Sequence, residues 1–238
     1  MKAISISFMM MLRQMKNDAM LIMLAVCPLL IGLSFRFIIP LSESLLTEYF
    51  GTGEIIKPYY ALFDIFLIII TPSMFNYASA MVMLEEYDDH ITAYLAVTPL
   101  GKKGYLFSRL GFTALIAFAV SIIVGCAFHL SRINIFTLIG IALAGTLQGV
   151  IIALLIVALS KNKVEGMAVG KFTSLLSIAA LIPYFVNGKA QFLASVFPSF
   201  WIGKAMQTGG FYPLVVSALL ALLWAAIMSN KFMKKIAK

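Results

Sequence analysis

The sequence is short of charged residues, and this lack decides its class. Of its 238 residues only 12% are charged and 62% are hydrophobic, whereas a soluble domain has roughly 25% charged and 45–50% apolar residues. The mean hydropathy is +1.00. This composition excludes a water-soluble globular protein and indicates an integral membrane protein.

Cysteine, histidine and the motifs of enzymes are also scarce. Cys27 and Cys126 lie in separate apolar runs without a Cys-x-x-Cys or His-spaced partner, so we expect free thiols and no metal site. A phosphate-binding loop is missing, because GMAVGKF at 166–172 is one residue short and has Phe where a hydroxyl is required. The pattern of prenyl endopeptidases fails because no Arg follows Glu85 and Glu86 at the required spacing. We therefore expect this chain to bind no cofactor and to catalyse no reaction.

Continuous apolar runs, bounded by charge, glycine or proline, predict six membrane-spanning helices. About 20 residues of helix cross about 30 Å of hydrocarbon, and continuous apolar runs exclude the alternating pattern of a barrel strand. The predicted spans are 19–40, 58–84, 105–128, 135–159, 166–186 and 211–228. The predicted fold class is an all-α membrane protein, with residues 1–238 in a single transmembrane domain.

The distribution of Lys and Arg predicts the orientation. If both termini are inside, thirteen of the 18 Lys and Arg residues lie on the inner side. Short loops rich in these residues stay in the cytoplasm. We therefore expect cytoplasmic termini and a location in the inner or plasma membrane of the cell.

Two segments outside the spans have membrane-active patterns. Residues 1–18 place apolar side chains at helical intervals with cations between them, which predicts an interfacial helix; the alternative is a ragged start of the first span. Residues 187–210 are interrupted by Pro198, too short to cross the membrane and too apolar for a wet loop. There we expect two short re-entrant helices in the outer leaflet.

The loop 85–104 contains four carboxylates, one histidine and two lysines, and it also has the pattern of a short helix. Its apolar stripe is Ile91, Tyr94 and Leu95, its start would be capped by Asp88 or Asp89, and Pro99 and Gly101 would end it. The chain itself offers nothing to cover this stripe, so we expect it to bind another protein. The alternative is a helix that lies flat on lipid headgroups, but clustered carboxylates argue against that position on an anionic membrane.

This loop resembles the inner loop of the type-two ABC transporter permeases, in which an acidic residue precedes a short helix that ends in a Leu-x-x-Pro-Leu phrase. The matching residues are Glu85, Glu86, Tyr87, Tyr94, Leu95, Val97, Thr98, Pro99 and Leu100. Where that family usually has Gly-Thr after the acidic residue, this chain has Asp-His. The predicted interfacial helix, six spans and paired short helices are similar too, so the resemblance covers nearly the whole chain.

The resemblance implies that loop 85–104 is a cytoplasmic coupling helix seated on a separate subunit that hydrolyses ATP with Mg²⁺. The coupling residues would be Glu85, Glu86, Tyr87, Asp88, Asp89, Ile91, Tyr94, Leu95, Thr98, Pro99 and Leu100. The implied partners are ABC ATPase subunits, a second copy or a similar permease, and the lipid bilayer. No nucleic-acid partner is expected.

Polar and small residues inside the spans give further candidates. Asp64, Asn76 and Gln148 are candidates for the transport pathway; alternatively, Asp64 pairs with Arg36 or reaches the outer interface, and the two amides link helices. The small-residue pairs predicted to pack helices are Gly145 with Gly149 and Gly166 with Gly170. Lys171 is assigned no role.

The sequence thus predicts the permease subunit of an ATP-driven exporter for a hydrophobic or amphipathic drug, peptide or lipid. One alternative is a non-transporting immunity or sensor subunit that recruits a soluble partner through the same loop. Secondary transport is a third, weakly supported because such transporters usually have internal repeats or several intramembrane charges.

Overall fold

The computed structural model describes residues 2–51, 53–98, 100–186 and 188–236. Within these ranges all regular structure is helical, and six segments are long and apolar enough to cross a membrane. They are Ala19–Phe50, Lys57–Asp88, Gly101–Phe128, Ile135–Leu159, Lys163–Phe185 and Tyr212–Lys235. The predicted all-α fold with six spans is confirmed, and the chain is a multi-pass membrane protein.

The described residues form eleven α-helices. These are α1 (Lys2–Asn17), α2 (Ala19–Phe50), α3 (Tyr60–Asp88), α4 (Ile91–Val97), α5 (Gly101–Leu106), α6 (Phe112–Phe128), α7 (Ile135–Leu159), α8 (Lys163–Ser174), α9 (Ile182–Phe185), α10 (Pro198–Thr208) and α11 (Tyr212–Lys235). Shorter turns of 3₁₀-helix cover Lys57–Tyr59, Leu175–Leu181 and Lys189–Val196, and a π-helical turn covers Phe107–Gly111.

Helix α2 is longer than the sequence predicts. It continues through Pro40 and ends only at Gly51, which has φ 59°, so the predicted end at residue 40 is wrong for this helix. Proline is tolerated inside membrane helices because neighbouring groups satisfy the freed carbonyl. The 32 residues span about 48 Å, more than the hydrocarbon needs. In the extension, the Glu43 carboxylate accepts hydrogen bonds from the backbone N–H groups of Ile55 and Ile56 at 2.9 and 2.6 Å.

Helices α3 and α7 form the centre of the bundle and are its most buried spans. They approach closely because α7 presents glycines to α3: a Cβ at Gly149 would lie 2.8 Å from the Pro72 carbonyl oxygen, and one at Gly145 would lie 3.3 Å from the Ile69 Cα. The other predicted glycine pair also faces α3, with Gly166 against Leu84 and Gly170 against the ring of Tyr77.

After α8 the chain continues as the 3₁₀-helix Leu175–Leu181 and α9, and it then forms two short helices, the 3₁₀-helix Lys189–Val196 and α10. Asn187, where the predicted re-entrant segment begins, lies outside the described residues. Phe200, Ile202 and Ala205 of α10 are fully buried, and Gly203 lies directly against the Ala180 carbonyl group. The segment is therefore part of the packed bundle rather than a loose loop.

The start of α4 differs from the prediction. Helix α3 runs on through Asp88, and Asp89 forms its C-cap. His90 then turns the chain with φ 59° and precedes α4 without a side-chain cap. The expectation that Asp88 or Asp89 caps α4 is wrong, because α3 does not end where the apolar run ends.

We expect His90→Gly to raise the free energy of unfolding by up to about 1 kcal/mol, because a left-handed backbone is costly for every residue with a Cβ. The His90 side chain is exposed, so its loss removes little packing. The measurement is thermal or denaturant unfolding of purified protein in detergent. Asp89→Gly is the control: Asp89 has φ −82°, so glycine there should lower stability. Equal effects of the two glycines would contradict the argument.

Candidate functional site

Helix α4 exposes one face to solvent at the end of the molecule where the sequence places the cytoplasm. Tyr94 is 70% exposed and Ile91 36%, and Asp89 and His90 beside them are exposed as well. We call these four residues the α4 face. Pro99, assigned to the same loop, lies outside the described residues.

The third residue of the predicted apolar stripe, Leu95, points the other way. Leu95 and, after the end of α4, Leu100 are half-buried and pack against the main hydrophobic core. The Thr98 hydroxyl donates to the Leu95 carbonyl oxygen at 2.7 Å and closes the end of α4. Helix α4 is therefore fixed to the bundle on one side and free on the other.

Immediately before α4, Glu86 is buried in an ion pair. Its side chain pairs with Arg109, from the π-helical turn before α6, through two hydrogen bonds, one of which joins Arg109 Nε to Glu86 Oε2 at 2.9 Å. The Tyr105 hydroxyl donates to the same Oε2 at 2.8 Å. Glu86 is 2% exposed and Arg109 1%. The Glu86 carboxylate is thus used within the chain, and its contact with a partner subunit stays a prediction.

Arg109 also holds the N-terminal helix. Its Nη1 donates to the Ser7 carbonyl oxygen at 2.5 Å and lies 3.0 Å from the Ser7 hydroxyl. The rings of Phe8 and Phe112 stack beside this contact, with centroids 4.9 Å apart. One guanidinium thus ties α1 and the end of α3 to the chain that leads into α6.

A second group of charges links the starts of α2 and α8 to the end of α3. Lys163 Nζ lies 2.7 Å from Glu85 Oε2 and 3.4 Å from Asp18 Oδ2, and the Lys163 backbone N–H donates to Asp88 Oδ2 at 2.9 Å. Burial raises the pKa of Asp18, but hydrogen bonds from the Met20 and Leu21 N–H groups and the Lys163 ammonium outweigh it, and the pKa is lowered. The cap of α2 is therefore ionised at neutral pH and is lost only in acid.

Tyr87 connects the last membrane-spanning helix, α11, to the end of α3. The Lys235 ammonium of α11 lies 4.2 Å from the centroid of the Tyr87 ring, within the range of a cation–π contact. Together, Glu85, Glu86, Tyr87 and Asp88 contact α5, α8, α11 and the π-helical turn before α6, and Arg109 and Lys163 extend these contacts to α1 and to the cap of α2. We call these contacts the inner network.

Sequence reasoning found the acidic members of the inner network but missed their partners. Arg109 and Lys163 entered only as inner-side cations, Tyr105 entered only as the first residue of the third predicted span, and Ser7 did not enter at all. The available signal was a cation just inside the start of a predicted span, where a charge needs a partner.

Asp64 holds a loop at the opposite end of the molecule. It is buried and accepts hydrogen bonds from the backbone N–H groups of Leu130 and Ser131 at 2.7 and 2.8 Å. Arg36 donates to the His129 carbonyl oxygen at 3.1 Å. The suggested Asp64–Arg36 pair does not form, and Asp64 does not extend into solvent; both residues fix the α6–α7 loop.

The two amide candidates lie near the contact between α3 and α7. Asn76 Nδ2 donates to the Pro72 carbonyl oxygen at 2.8 Å, and Gln148 Nε2 donates to the Ser177 hydroxyl at 3.1 Å. Their oxygens, Asn76 Oδ1 and Gln148 Oε1, are buried and have no hydrogen-bond partner among the described residues. A buried acceptor of this kind requires a donor from outside the chain, such as an ordered water or a ligand.

Comparison with known proteins identifies a family. The profile described as "Fluoroquinolones export permease protein Rv2686c-like" matches residues 11–229. Two relatives from Mycobacterium tuberculosis are the fluoroquinolones export permease protein MT2760 of strain CDC 1551 / Oshkosh and Rv2686c of strain ATCC 25618 / H37Rv. Each is 24% identical over 230 residues, which are 92% of this chain and 89% of the relative. No solved structure matches.

These matches confirm the resemblance to export permeases that the inner loop suggested, and they favour a permease over a non-transporting subunit. The relatives are named as permeases, not as enzymes. Because the matched residues extend from α1 into α11, the chain belongs to the family of Rv2686c-like fluoroquinolones export permease proteins.

Proposed function

We propose that this chain is the membrane-spanning subunit of an ATP-driven exporter of amphipathic aromatic drugs, and that a separate subunit hydrolyses the ATP. The relatives' names support drugs of the fluoroquinolone class as cargo. The proposal that ATP hydrolysis by another subunit drives export rests on the α4 face. This surface is exposed to solvent and is joined through α3 to the inner network.

The α4 face has the composition of a binding site for a protein. A solvent-exposed tyrosine beside an exposed isoleucine supplies the type of side chain that contributes most to interfaces, and polar neighbours form a rim. Asp89 and His90 give that rim its charge and hydrogen-bonding groups. Docking of an ATPase subunit here agrees with the coupling role that the type-two ABC resemblance implies.

The inner network explains how a force on α4 would reach the spans. Glu85, Glu86, Tyr87 and Asp88 lie in the last turn of α3, next to α4, and contact α8, α11 and the turn before α6 directly. Through Arg109 and Lys163 they are linked to α1 and α2 as well. Buried, bidentate pairs are geometrically rigid. A displacement of α4 would therefore move the inner ends of several helices together, as a rigid-body switch between inward and outward access requires.

We further propose that two such chains, or this chain and a similar permease, form the complete pathway with both termini in the cytoplasm of the cell. The excess of Lys and Arg on that side supports the orientation. The spans α2 and α11 are the least buried, so their apolar faces are available to a second permease and to lipid.

Tyr94→Ala is expected to weaken binding of the ATPase subunit by about 1–2 kcal/mol, roughly tenfold, because truncation of an interfacial tyrosine removes a large contact. Drug-stimulated ATP hydrolysis should fall in parallel. The measurement is co-purification with candidate ABC ATPase subunits, followed by titration and hydrolysis assays in liposomes.

Tyr212→Ala is the matched control, because Tyr212 is 72% exposed at the start of α11, at the opposite end of the bundle. It should leave binding and hydrolysis unchanged. No ATPase subunit bound by the wild type, or identical behaviour of the two alanine variants, would overturn the docking proposal.

A further inference from the structure

A cavity of about 260 Å³ lies between α2, α3, α7 and α8, and no role has been assigned to it so far. Its polar wall is made by Ser73, Tyr77, Lys171, Ser174 and Ser177. The remaining wall is apolar and includes Phe66 and Met74. Polar groups on the wall of a cavity between membrane helices are typical of a substrate site.

Lys171 is the charged group of this cavity. It is the ninth residue of α8, which places its Cα about 12 Å along the helix from Lys163. None of the described lining residues is acidic, and the Lys171 ammonium has no ion pair or hydrogen bond within the described part of the chain. Lys171 is exposed at the mouth of the cavity, so its ammonium is accessible to an anionic group on a ligand that enters the cavity.

The neighbouring polar side chains face the same cavity, and the Ser73 and Ser174 hydroxyls, which donate to backbone carbonyl oxygens of their own helices, can still accept a hydrogen bond. The ring of Tyr77 lies against Gly170, where any larger residue would displace it. Gly170 precedes Lys171 in the sequence, so the Tyr77 ring lies beside the start of the Lys171 side chain, and both residues line the cavity. Ser177 accepts a hydrogen bond from Gln148, whose Oε1 is buried and unpaired among the described residues. The cavity thus combines a cation, a phenol, hydroxyl groups and a free acceptor nearby.

Aromatic side chains extend the site toward the other end of the bundle. Phe66 lines this cavity and also a second one of about 590 Å³, whose wall includes Phe35, Tyr59, Phe63 and Phe185. The second cavity lies beside the chain that joins α2 to α3, so the two follow one another along the membrane normal. A flat aromatic molecule suits such a lining, because rings stack favourably on rings.

We propose that the cavity between α2, α3, α7 and α8 binds flat aromatic amphiphiles that carry a carboxylate, with the Lys171 ammonium as counter-ion and Tyr77 and Phe66 in contact with the ring system. The inference rests on the proposed export of aromatic drugs and narrows its substrate class to carboxylates. Fluoroquinolones have this chemistry, being fused aromatic rings with one carboxylate.

The test is equilibrium binding of ciprofloxacin and of its ethyl ester, which lacks the free carboxylate, to the purified full chain in lipid nanodiscs, followed by the fluorescence of the drug. The wild type should bind the acid about tenfold more tightly than the ester, because a charge-assisted hydrogen bond is among the strong ones. Lys171→Met should remove this preference and leave the ester's affinity unchanged, and Lys171→Arg should retain it.

Lys161→Met is the matched control, since Lys161 is an exposed lysine outside the cavity; it should preserve the preference. Lys171→Gln serves the same purpose as Lys171→Met if the apolar variant does not fold. Failure of the wild type to bind the acid, equal affinity for acid and ester, or a preference that survives in Lys171→Met or Lys171→Gln would overturn the proposal.

Export of both compounds from cells that contain the chain with its ATPase subunit separates this inference from the proposed function. Export that does not depend on Lys171 would contradict the inference alone. A Lys171-dependent preference in binding, without ATP-dependent export, would support the site and contradict the proposed function.

Discussion

Replacing Arg109 by methionine is expected to lower the free energy of unfolding by about 3–5 kcal/mol, because it leaves the buried Glu86 carboxylate without its counter-ion. The same change removes the donor that holds the Ser7 carbonyl oxygen, so α1 should separate from the bundle. The measurement is unfolding in mixed detergent micelles, together with proteolysis of the N-terminal residues. Arg13→Met, at an exposed arginine of α1, should change stability by less than about 0.5 kcal/mol.

The double variant Arg109→Met with Glu86→Leu distinguishes a lost ion pair from lost packing. Because no uncompensated charge then remains buried, the double variant should recover about 1–3 kcal/mol relative to Arg109→Met alone. A double variant as unstable as Arg109→Met would show that the packing of the arginine stem, not the charge, is what matters. A stable Arg109→Met would contradict the structural role of the pair.

The number of spans and the existence of α4 were predictable from the sequence because each depends on a local property. Long apolar runs must be helical in lipid, and the Ile91–Tyr94 spacing marks one face of a helix. The glycine pairs of α7 and α8 could also be identified, since small residues four apart recur where membrane helices approach closely. In the structure both pairs lie against α3.

The division of the acidic loop into buried and exposed residues was not predictable. Glu86 and Arg109 are 23 residues apart, and nothing local shows that the end of α3 lies beside the turn that precedes α6. The prediction that Asp88 or Asp89 caps α4 was wrong for a related reason. The capping rule assumes that the residues before a helix belong to a loop, whereas α3 continues to Asp88 and His90 has a left-handed backbone conformation. The end of α2 at Pro40 was wrong because a proline rule for soluble helices was applied to a membrane helix.

Gly203 is a position that the sequence did not mark, and the structure makes it the second critical residue for stability. It lies in α10, which is too short to be a span, so the rule for close packing between membrane-spanning helices does not single it out. In the fold, α10 packs across the 3₁₀-helix Leu175–Leu181, and a Cβ at Gly203 would overlap the Ala180 carbonyl oxygen. That oxygen belongs to the backbone, so it cannot move aside as a side chain can.

Gly203→Ala is therefore expected to lower the free energy of unfolding by about 3 kcal/mol, the upper part of the range for overpacking. A decrease in the free energy of unfolding would itself indicate a steric clash, because replacing glycine by alanine inside an unobstructed helix stabilises a protein by up to about 1 kcal/mol. Gly53→Ala is the control, since a Cβ there would meet no atom within 4 Å, and it should be neutral within about 0.5 kcal/mol. If Gly203→Ala unfolds at the same denaturant concentration as the wild type, α10 does not pack on Leu175–Leu181 as described. A large loss with Gly203→Ala and none with Gly53→Ala would establish that contact, which fixes α10 against the 3₁₀-helix that follows α8, the helix that carries Lys171.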